Sequence, residues 1–259
     1  MTAAVSYERT REHLEALGLQ AALEGLDAAL ESGQKQERTT VEILDDLLTR
    51  ERDTRFERRV ATNLKLSGIA HARTLESFNF DAEVDVSKQL IAELATLRFM
   101  HQSENVLFLG PPGVGKSHLA TGLGLKAIEQ GHRVYFITLH DLVDRSRLAR
   151  QRDRLHHLSN TVTRPDLLVL DEVGYLPLEQ MDATFLFQIV SRRYEAGKPI
   201  ILTSNKSYGS WHDIFPDAIL ATALLDRLLD QSTTVNIRGE SYRLRHRRQA
   251  GLSSGEEKA

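Results

Sequence analysis

The sequence predicts an α/β fold in which a five-stranded parallel sheet is sandwiched by helices and is preceded by a small helical domain. From about residue 88, short apolar segments alternate with longer helical stretches. This alternation is typical of a parallel sheet with helices on both faces. Before residue 70, the apolar residues recur with helical spacing instead. The five predicted strands are Val106–Leu109, Val134–Thr138, Leu167–Leu170, Ile200–Thr203 and Thr234–Ile237.

Two helices are predicted in the N-terminal part of the chain. Within residues 7–33, leucines at intervals of three or four residues form the apolar stripe of an amphipathic helix, which Gly33 interrupts. A second helix opens at Thr39 or Thr40, whose hydroxyl groups are suitable N-caps. We expect Gly68 to end this second helix. The leucines of the first stripe are Leu19, Leu23, Leu26 and Leu30.

The composition is that of a globular protein. With 41% hydrophobic and 27% charged residues, the chain can bury a core, which excludes wholesale disorder. It contains no cysteine, so disulfide frameworks, thiolate metal sites and cysteine nucleophiles are excluded. No apolar run approaches the roughly 18 residues of a membrane helix, and the start of the chain lacks the pattern of a signal peptide. We therefore expect a cytoplasmic protein that neither crosses nor binds a membrane.

Positive charge is concentrated in three stretches, although the net charge of the chain is -3. The stretches Arg50–Arg73, Arg145–His157 and Arg238–Arg248 each have an excess of basic over acidic residues. Concentrated arginine suggests a polyanionic partner such as a nucleic acid. The alternative is that these runs are solvated helix faces or form salt bridges between subunits. Charge alone does not decide between the two.

The segment from Gly110 to Ser117 has the pattern of a phosphate-binding loop, G-x-x-x-x-G-K-[ST]. It follows an apolar strand and leads into an apolar helix. Its glycines would let backbone N–H groups surround a phosphate at the positive end of that helix. Lys116 would reach the β- and γ-phosphate oxygens of ATP, and the Ser117 hydroxyl would ligate Mg²⁺. The predicted ATP-binding residues are Gly110, Pro111, Pro112, Gly113, Val114, Gly115, Lys116, Ser117 and His118.

Two acidic residues, Asp171 and Glu172, follow the third predicted strand. A buried strand with an acidic turn is common and would say little by itself. Downstream of a phosphate-binding loop, however, it is the expected partner strand. Asp171 would then hold Mg²⁺ through its water shell, and Glu172 would orient or deprotonate the water that attacks the γ-phosphate. Such a base distinguishes a hydrolase from a kinase.

Two further residues are candidates for catalysis. Asn205 follows the fourth predicted strand, and ligands of parallel α/β sheets collect at the carboxyl ends of strands. It could contact the attacking water or the γ-phosphate, although an isolated Asn is more often a turn residue. Arg227 lies in an apolar helical pattern and could act as an arginine finger in the nucleotide site of a neighbouring subunit. The alternative is a local ion pair with Asp226 or Asp230.

Together these motifs resemble the AAA+ ATPases, in particular the IstB/DnaC-like branch, and most closely the IstB transposition helper ATPases. The similarity extends over residues 106–244, and the segment Thr74–Phe78 is also similar to that family. The segments that carry it are Asp171–Pro177 (DEVGYLP), Ser191–Glu195 (SRRYE), Leu202–Ser207 (LTSNKS), Leu225–Leu229 (LDRLL) and Ile237–Leu244 (IRGESYRL).

The resemblance implies an ATP hydrolase that forms a homo-oligomer, binds and deforms double-stranded target DNA, and stimulates the transposase of the same insertion sequence. In initiator-type relatives the region equivalent to Asp141–Arg164 carries an insertion that faces a central channel. Here this region is rich in arginine. The predicted DNA-binding residues are Arg145, Arg147, Arg150, Arg152, Arg154, Arg55, Arg58 and Arg59.

The chain departs from the general AAA+ plan near its C-terminus. Only 32 residues follow Arg227, too few for a full helical lid. Arg243 is the candidate replacement for the sensor arginine of that lid. The alternative function is a DnaC-like replicative helicase loader, which contacts protein and single-stranded DNA. Single-strand binders stack bases on aromatic residues, and Arg145–His157 contains none, which favours duplex DNA.

The expected organisation has four parts. Residues 1–70 form a helical N-terminal domain that binds DNA or a partner. Residues 71–87 form a linker, in which Phe78 and Phe80 make an aromatic plug. Residues 88–250 form the AAA+ ATPase domain, and residues 251–259 form a disordered polar tail. A nucleotide-binding module without turnover is disfavoured because Glu172 and Asn205 are both present.

Overall fold

The computed structural model describes residues 3–71, 73–80, 84–175, 177–239 and 241. Its contacts divide the chain into two compact units, Met1–Thr62 and Asn63–Ala259. The candidate sensor Arg243, most of the third basic stretch and the predicted tail 251–259 lie outside the described residues. None of the helices in the described ranges combines the length and apolar character that crossing a membrane requires.

The first unit is helical, but its first predicted helix is in fact two. Helix α1 spans Ala3–Ala16 and helix α2 spans Gln20–Lys35. Between them Gly18 has a φ of +66°, a left-handed conformation that glycine adopts readily and that ends α1. The predicted interruption at Gly33 is wrong, because Gly33 lies inside α2. A Cβ there would lie 2.3 Å from Ile43 Cδ1, so glycine permits close packing at this point.

Helix α3 spans Thr40–Leu66 and begins and ends close to the predicted positions. At its start, the Thr39 hydroxyl accepts from the Glu42 N–H, while the Glu42 carboxylate accepts from the Thr39 N–H at 2.7 Å. This reciprocal pair is a capping box. Further along α3, the buried Glu51 accepts hydrogen bonds from the N–H groups of Ala21 and Ala22 at 2.8 and 3.0 Å. Its carboxylate therefore caps the positive end of α2.

The second unit contains the predicted five-stranded parallel sheet. The strands lie in the order β2-β3-β4-β1-β5, and every neighbouring pair is parallel. Each strand overlaps a predicted one, and the third extends further than expected, so that Asp171 and Glu172 lie within it. The strands are β1 (Asn105–Leu109), β2 (Val134–Thr138), β3 (Leu167–Val173), β4 (Ile200–Ser204) and β5 (Ser232–Asn236).

Helices precede and connect these strands. A 3-10 turn at Tyr208–Asp213 follows β4, and a two-residue antiparallel ladder joins Val84–Asp85 to Arg238–Gly239. The helices of this unit are α4 (Lys88–Ala95), α5 (Arg98–His101), α6 (Lys116–Glu129), α7 (Leu139–Gln151), α8 (Leu155–Thr163), α9 (Gln180–Glu195) and α10 (Ala218–Leu229).

The central strands β1 and β4 are buried along their whole length. Strands that are covered on both faces are apolar in their middle, so functional polar groups collect near their ends. Because all five strands are parallel, their carboxyl ends meet at one edge of the sheet. This edge carries the phosphate-binding loop after β1, the two acids of β3 and the polar end of β4.

Candidate nucleotide-binding site

The loop after β1 forms a cradle for an anion. Helix α6 begins at Lys116, so the backbone of the loop lies at a helix N-terminus, where partial positive charge favours a phosphate. Gly113 and Gly115 have φ values of +84° and +95°, which other residues rarely adopt. A Cβ on Gly115 would also lie 2.5 Å from Phe78 Cε2. Both backbone conformation and available space therefore require glycine in this motif.

The Lys116 side chain is buried and lies along this loop. Its Nζ atom donates hydrogen bonds to the carbonyl oxygens of Gly110 and Pro111, both at 2.8 Å. Burial lowers the pKa of Lys116, while the charges of Asp171 and Glu172 oppose this shift. A bound phosphate would supply further negative charge next to the ammonium group and would favour its charged form. Lys116 is therefore suited to an anionic ligand.

Ser117 and Asp171 meet at the carboxyl edge of the sheet. The Ser117 hydroxyl donates to Asp171 Oδ1 at 2.8 Å. A second hydroxyl, that of Thr203 on β4, donates to the same oxygen. Asp171 is only 4% exposed, so these donors compensate for the burial of its carboxylate. The structure thus brings together the two residues that the sequence assigned to Mg²⁺.

Glu172 has an unusual backbone conformation. Its φ is +61°, and the pairing of β3 with β4 shifts register between Leu170 and Val173. A left-handed residue other than glycine costs on the order of 1–3 kcal/mol and is often found at functional sites. Such a bulge redirects a side chain. Here it leaves Glu172 exposed, lining the same cavity as Lys116 and Ser117.

This cavity has a volume of about 360 Å³. Part of its wall was not predicted, since it comes from the segment that the sequence suggested was a linker. Phe78 packs edge-to-face on His118, with 5.3 Å between ring centroids, and His118 Nε2 lies 2.8 Å from the Thr74 carbonyl oxygen. Only the aromatic pair and the similarity of Thr74–Phe78 to a known family drew attention to this segment. The additional wall residues are Arg73, Ser77, Phe78, Asn79, Tyr175 and Thr203.

The groups at this edge fit a nucleoside triphosphate and Mg²⁺. The left-handed glycines leave the loop backbone accessible to phosphate oxygens, and Lys116 supplies a positive charge beside it. Ser117 and Asp171 offer the hydroxyl and carboxylate oxygens that Mg²⁺ prefers.

Asn205 lies just beyond β4, next to the turn that follows Glu172. A Cβ on Gly174 would lie 3.2 Å from Asn205 Oδ1. This oxygen is buried and lacks a hydrogen-bond partner within the described part of the chain. Asn205 is not among the residues that line the nucleotide cavity. It is therefore close to the predicted base, and its contact with the attacking water or the γ-phosphate stays a prediction.

Arg227 lies at the opposite edge of the sheet from the phosphate-binding loop. It lines a second cavity together with Asn105 and Ile200, the first residues of β1 and β4. Its guanidinium group lies over the Phe187 ring, 4.7 Å from the centroid, and donates to the Ala223 carbonyl at 3.1 Å. No ion pair within the described residues involves Arg227, so the predicted local pair with Asp226 or Asp230 is not formed there. Arg227 cannot act on the nucleotide cavity of its own subunit.

Comparison with known proteins identifies the family. The family model described as IstB-like ATP binding protein matches residues 12–250. The chain belongs to this family. It is 44% identical to a protein named as the ATP-binding protein of insertion sequence IS5376 from Geobacillus stearothermophilus, over 93% of this chain and 96% of the relative. It is also 44% identical to the corresponding IS21 protein of Pseudomonas aeruginosa, over 88% of this chain and 85% of the relative.

Solved structures confirm the predicted AAA+ fold of this IstB-family chain. AMPPCP-bound DnaA from Aquifex aeolicus superposes with a TM-score of 0.56 at 20% identity, covering 71% of this chain and 55% of that one. The DnaC helicase loader superposes with a TM-score of 0.53 at 23% identity, covering 64% of this chain and 97% of that one. At these identities the likeness concerns the fold alone.

The predicted DNA-binding arginines in and just after α7 differ in their contacts. Arg147 and Arg150 pair with Asp182 at 2.8 and 3.0 Å, and the Asp182 side chain is 1% exposed. Because a buried carboxylate requires a counter-charge, these two arginines have a structural role that the sequence did not predict. Arg152 and Arg154 are exposed at the turn between α7 and α8, and no ion pair within the described residues involves either.

The remaining predicted DNA contacts show the same division. Arg145 donates to the Tyr135 hydroxyl at 2.7 Å. In the first unit, Arg55 donates to Glu51 at 2.6 Å and to the Gly18 carbonyl at 2.8 Å. Arg58 and Arg59 are exposed on α3. The Arg59 guanidinium group also lies over the Phe56 ring, 5.1 Å from its centroid. The predicted arginines thus differ in how far their guanidinium groups are engaged within the chain.

Arg193 on α9 is a buried structural residue for which no role was predicted. It is fully buried, and burial lowers its pKa to about 9. Its guanidinium group donates hydrogen bonds that connect α9 to the C-terminal end of α8 and to the residues just before β3 and β4. The only sequence signal at Arg193 was its position in the segment SRRYE, which is similar to the IstB family. The carbonyl groups that accept its hydrogen bonds belong to Val162, Thr163, Pro165, Asp166 and Pro199.

Proposed function

We propose that this IstB-like protein is an ATP hydrolase that acts on double-stranded target DNA and stimulates the transposase of its insertion sequence. The observation that carries the hydrolase assignment is the meeting of Lys116, Ser117 and Asp171 at one sheet edge, with Glu172 lining the same cavity. The membership in a family of ATP-binding proteins supports it further.

Each residue of the site has a distinct task in this proposal. Lys116 and the loop N–H groups bind the phosphates of ATP, and Ser117 and Asp171 hold Mg²⁺. When bound, this ion neutralises charge on the phosphate oxygens. Glu172 accepts a proton from the water that attacks the γ-phosphate, and its bulged backbone orients the carboxylate toward the cavity. Arg227 of a neighbouring copy stabilises the charge that develops during transfer.

Two variants test the hydrolase assignment. Lys116→Ala should abolish ATP binding, whereas Glu172→Gln should bind ATP normally and hydrolyse it far more slowly, because only the second variant keeps the phosphate cradle intact. Binding is measured with a fluorescent ATP analogue and turnover by phosphate release. If Glu172→Gln hydrolysed ATP at the normal rate, Glu172 would not be the base.

The DNA-binding part of the proposal rests on charge and exposure. Arg152 and Arg154 project from the α7–α8 turn, and Arg58 and Arg59 are exposed on α3. Arginine at exposed, locally basic positions is suited to phosphate contacts, which are independent of sequence. We propose that copies of the chain assemble on the duplex and place Arg227 of one copy near the nucleotide of the next.

A reconstituted strand-transfer reaction tests the link to transposition. It contains the partner transposase, DNA carrying the ends of the element, a target plasmid and ATP. Addition of the native chain should increase strand transfer, and Lys116→Ala should not. Equal stimulation by both proteins would show that nucleotide binding has no part in this role, and no stimulation by the native chain would refute the transposase assignment.

A further inference from the structure

The hydroxyl group of Thr203 connects the two acidic residues of the site. Thr203 is on β4, is 1% exposed and lines the nucleotide cavity. Its Oγ1 atom donates to Asp171 Oδ1 and accepts from the Glu172 N–H at 3.0 Å. One hydroxyl group therefore contacts both the predicted Mg²⁺ ligand and the residue proposed as the base.

The β-bulge explains why Glu172 needs this contact. Leu202 pairs with Leu170 and Ser204 pairs with Val173, so Thr203 alone lies opposite Asp171 and Glu172. The extra residue of a bulge loses its regular partner in the ladder. The Glu172 N–H is then left for a side-chain acceptor, and the Thr203 hydroxyl fills that role. This bond holds the left-handed backbone that directs the Glu172 side chain into the cavity.

The second bond orients the other acid. Ser117 and Thr203 both donate to Asp171 Oδ1. Ser117 is itself a proposed Mg²⁺ ligand, whereas Thr203 is not. Thr203 is thus the donor that can keep Asp171 in position irrespective of what Ser117 binds. Groups behind metal ligands commonly set the orientation of those ligands.

We propose that Thr203 is the positioning residue that sets both Asp171 and Glu172 for hydrolysis. The proposal rests on the proposed ATP hydrolase function. Donating to a carboxylate and accepting from an N–H requires a hydroxyl group. Serine can therefore replace Thr203 in this role, and valine, which has the same shape without the hydroxyl, cannot.

The test compares Thr203→Val and Thr203→Ser with a control, Ser204→Ala. Ser204 is the neighbouring buried residue, and its hydroxyl bonds to the Val173 carbonyl and the Lys206 N–H without contacting either acid. Thr203→Val should lower kcat by about 10- to 100-fold, the usual effect of removing a group that orients a metal ligand, with little change in KM for ATP. Thr203→Ser and Ser204→Ala should stay within about threefold of the native kcat, since both leave the paired acids in place.

A binding measurement tests the role of Thr203 separately from the proposal that the chain hydrolyses ATP. The Mg²⁺ concentration that half-saturates binding of a fluorescent ATP analogue should rise about tenfold or more in Thr203→Val and remain near native in Thr203→Ser. This measurement requires no turnover, so it tests Thr203 even if the native chain proves unable to hydrolyse ATP, a result that would refute the proposed function instead. Thr203→Ala replaces the valine variant if circular dichroism shows the latter to be unfolded.

Three results would overturn the role of Thr203. The first is a hydroxyl-free variant with native kcat and native Mg²⁺ dependence. The second is a serine variant as impaired as the valine variant, which would assign the effect to the lost methyl group. The third is an equal loss of kcat in Ser204→Ala, which would indicate a general disturbance of β4.

Discussion

The different contacts of the arginines in and just after α7 predict that Arg152 and Arg154 determine the salt dependence of DNA binding and that Arg147 and Arg150 do not. Replacing Arg152 and Arg154 by alanine removes exposed charges from the α7–α8 turn. Each lost phosphate contact reduces the slope of log K against log salt by ~0.9 on duplex DNA. If both residues contact phosphates, the slope should flatten by ~1.8, with equal weakening on unrelated sequences.

The matched control is the double variant of Arg147 and Arg150. Both guanidinium groups bind Asp182, whose side chain is 1% exposed. Their removal should leave the salt slope unchanged and lower the stability of the protein. Removing the partners of a buried carboxylate is destabilising, because its charge is then left without compensation. Both double variants remove two positive charges, but only the loss of Arg152 and Arg154 should change the salt dependence of DNA binding.

Fluorescence anisotropy on a short labelled duplex measures the slope, at several salt concentrations and with a non-hydrolysable ATP analogue present. Urea unfolding measures the stability of each variant. The reasoning is refuted if the Arg147 and Arg150 variant flattens the slope and the Arg152 and Arg154 variant does not. A loss of affinity confined to single-stranded DNA would point to the helicase-loader alternative.

Two further predictions concern the subunit contact and the first unit. Arg227→Ala should reduce hydrolysis by roughly 10³-fold without loss of ATP binding. Mixing Arg227→Ala subunits with Lys116→Ala subunits should restore part of the activity, because an intact phosphate-binding loop then faces an intact arginine. If co-assembled mixtures showed no recovery, Arg227 would not be an arginine finger. Burial alone would raise the pKa of Glu51, but hydrogen bonds from the Ala22 N–H and Arg55 lower it below 4.5 on balance. At Glu51 the native state therefore binds fewer protons than the unfolded state, so the stability of the protein should fall as the pH drops from about 4.5 through the lowered pKa. Glu51→Gln should lose this pH dependence, which acid unfolding followed by circular dichroism measures.

Local sequence was sufficient to predict the parts of this protein that depend on neighbouring residues. The phosphate-binding loop and the capping box before α3 depend on residues within a few positions of one another. The five strands are short apolar runs, so local pattern was sufficient to predict them as well. The break at Gly18 was missed because the leucine stripe that predicted the helix begins only at Leu19 and carries no information on the residues before it. Glycine at position 33 was misread because its role depends on Ile43, which lies on another helix.

Contacts between residues that are distant in the chain became visible in the folded structure alone. Whether Arg147 is available to DNA depends on Asp182, and the orientation of Glu172 depends on Thr203. Both contacts follow from which helices pack together and from the strand order β2-β3-β4-β1-β5. Hydrophobic periodicity indicates which face of a helix or strand is buried, but the same periodicity is compatible with any order of the strands in the sheet. The pairing of side chains across elements is therefore determined by packing of the whole chain.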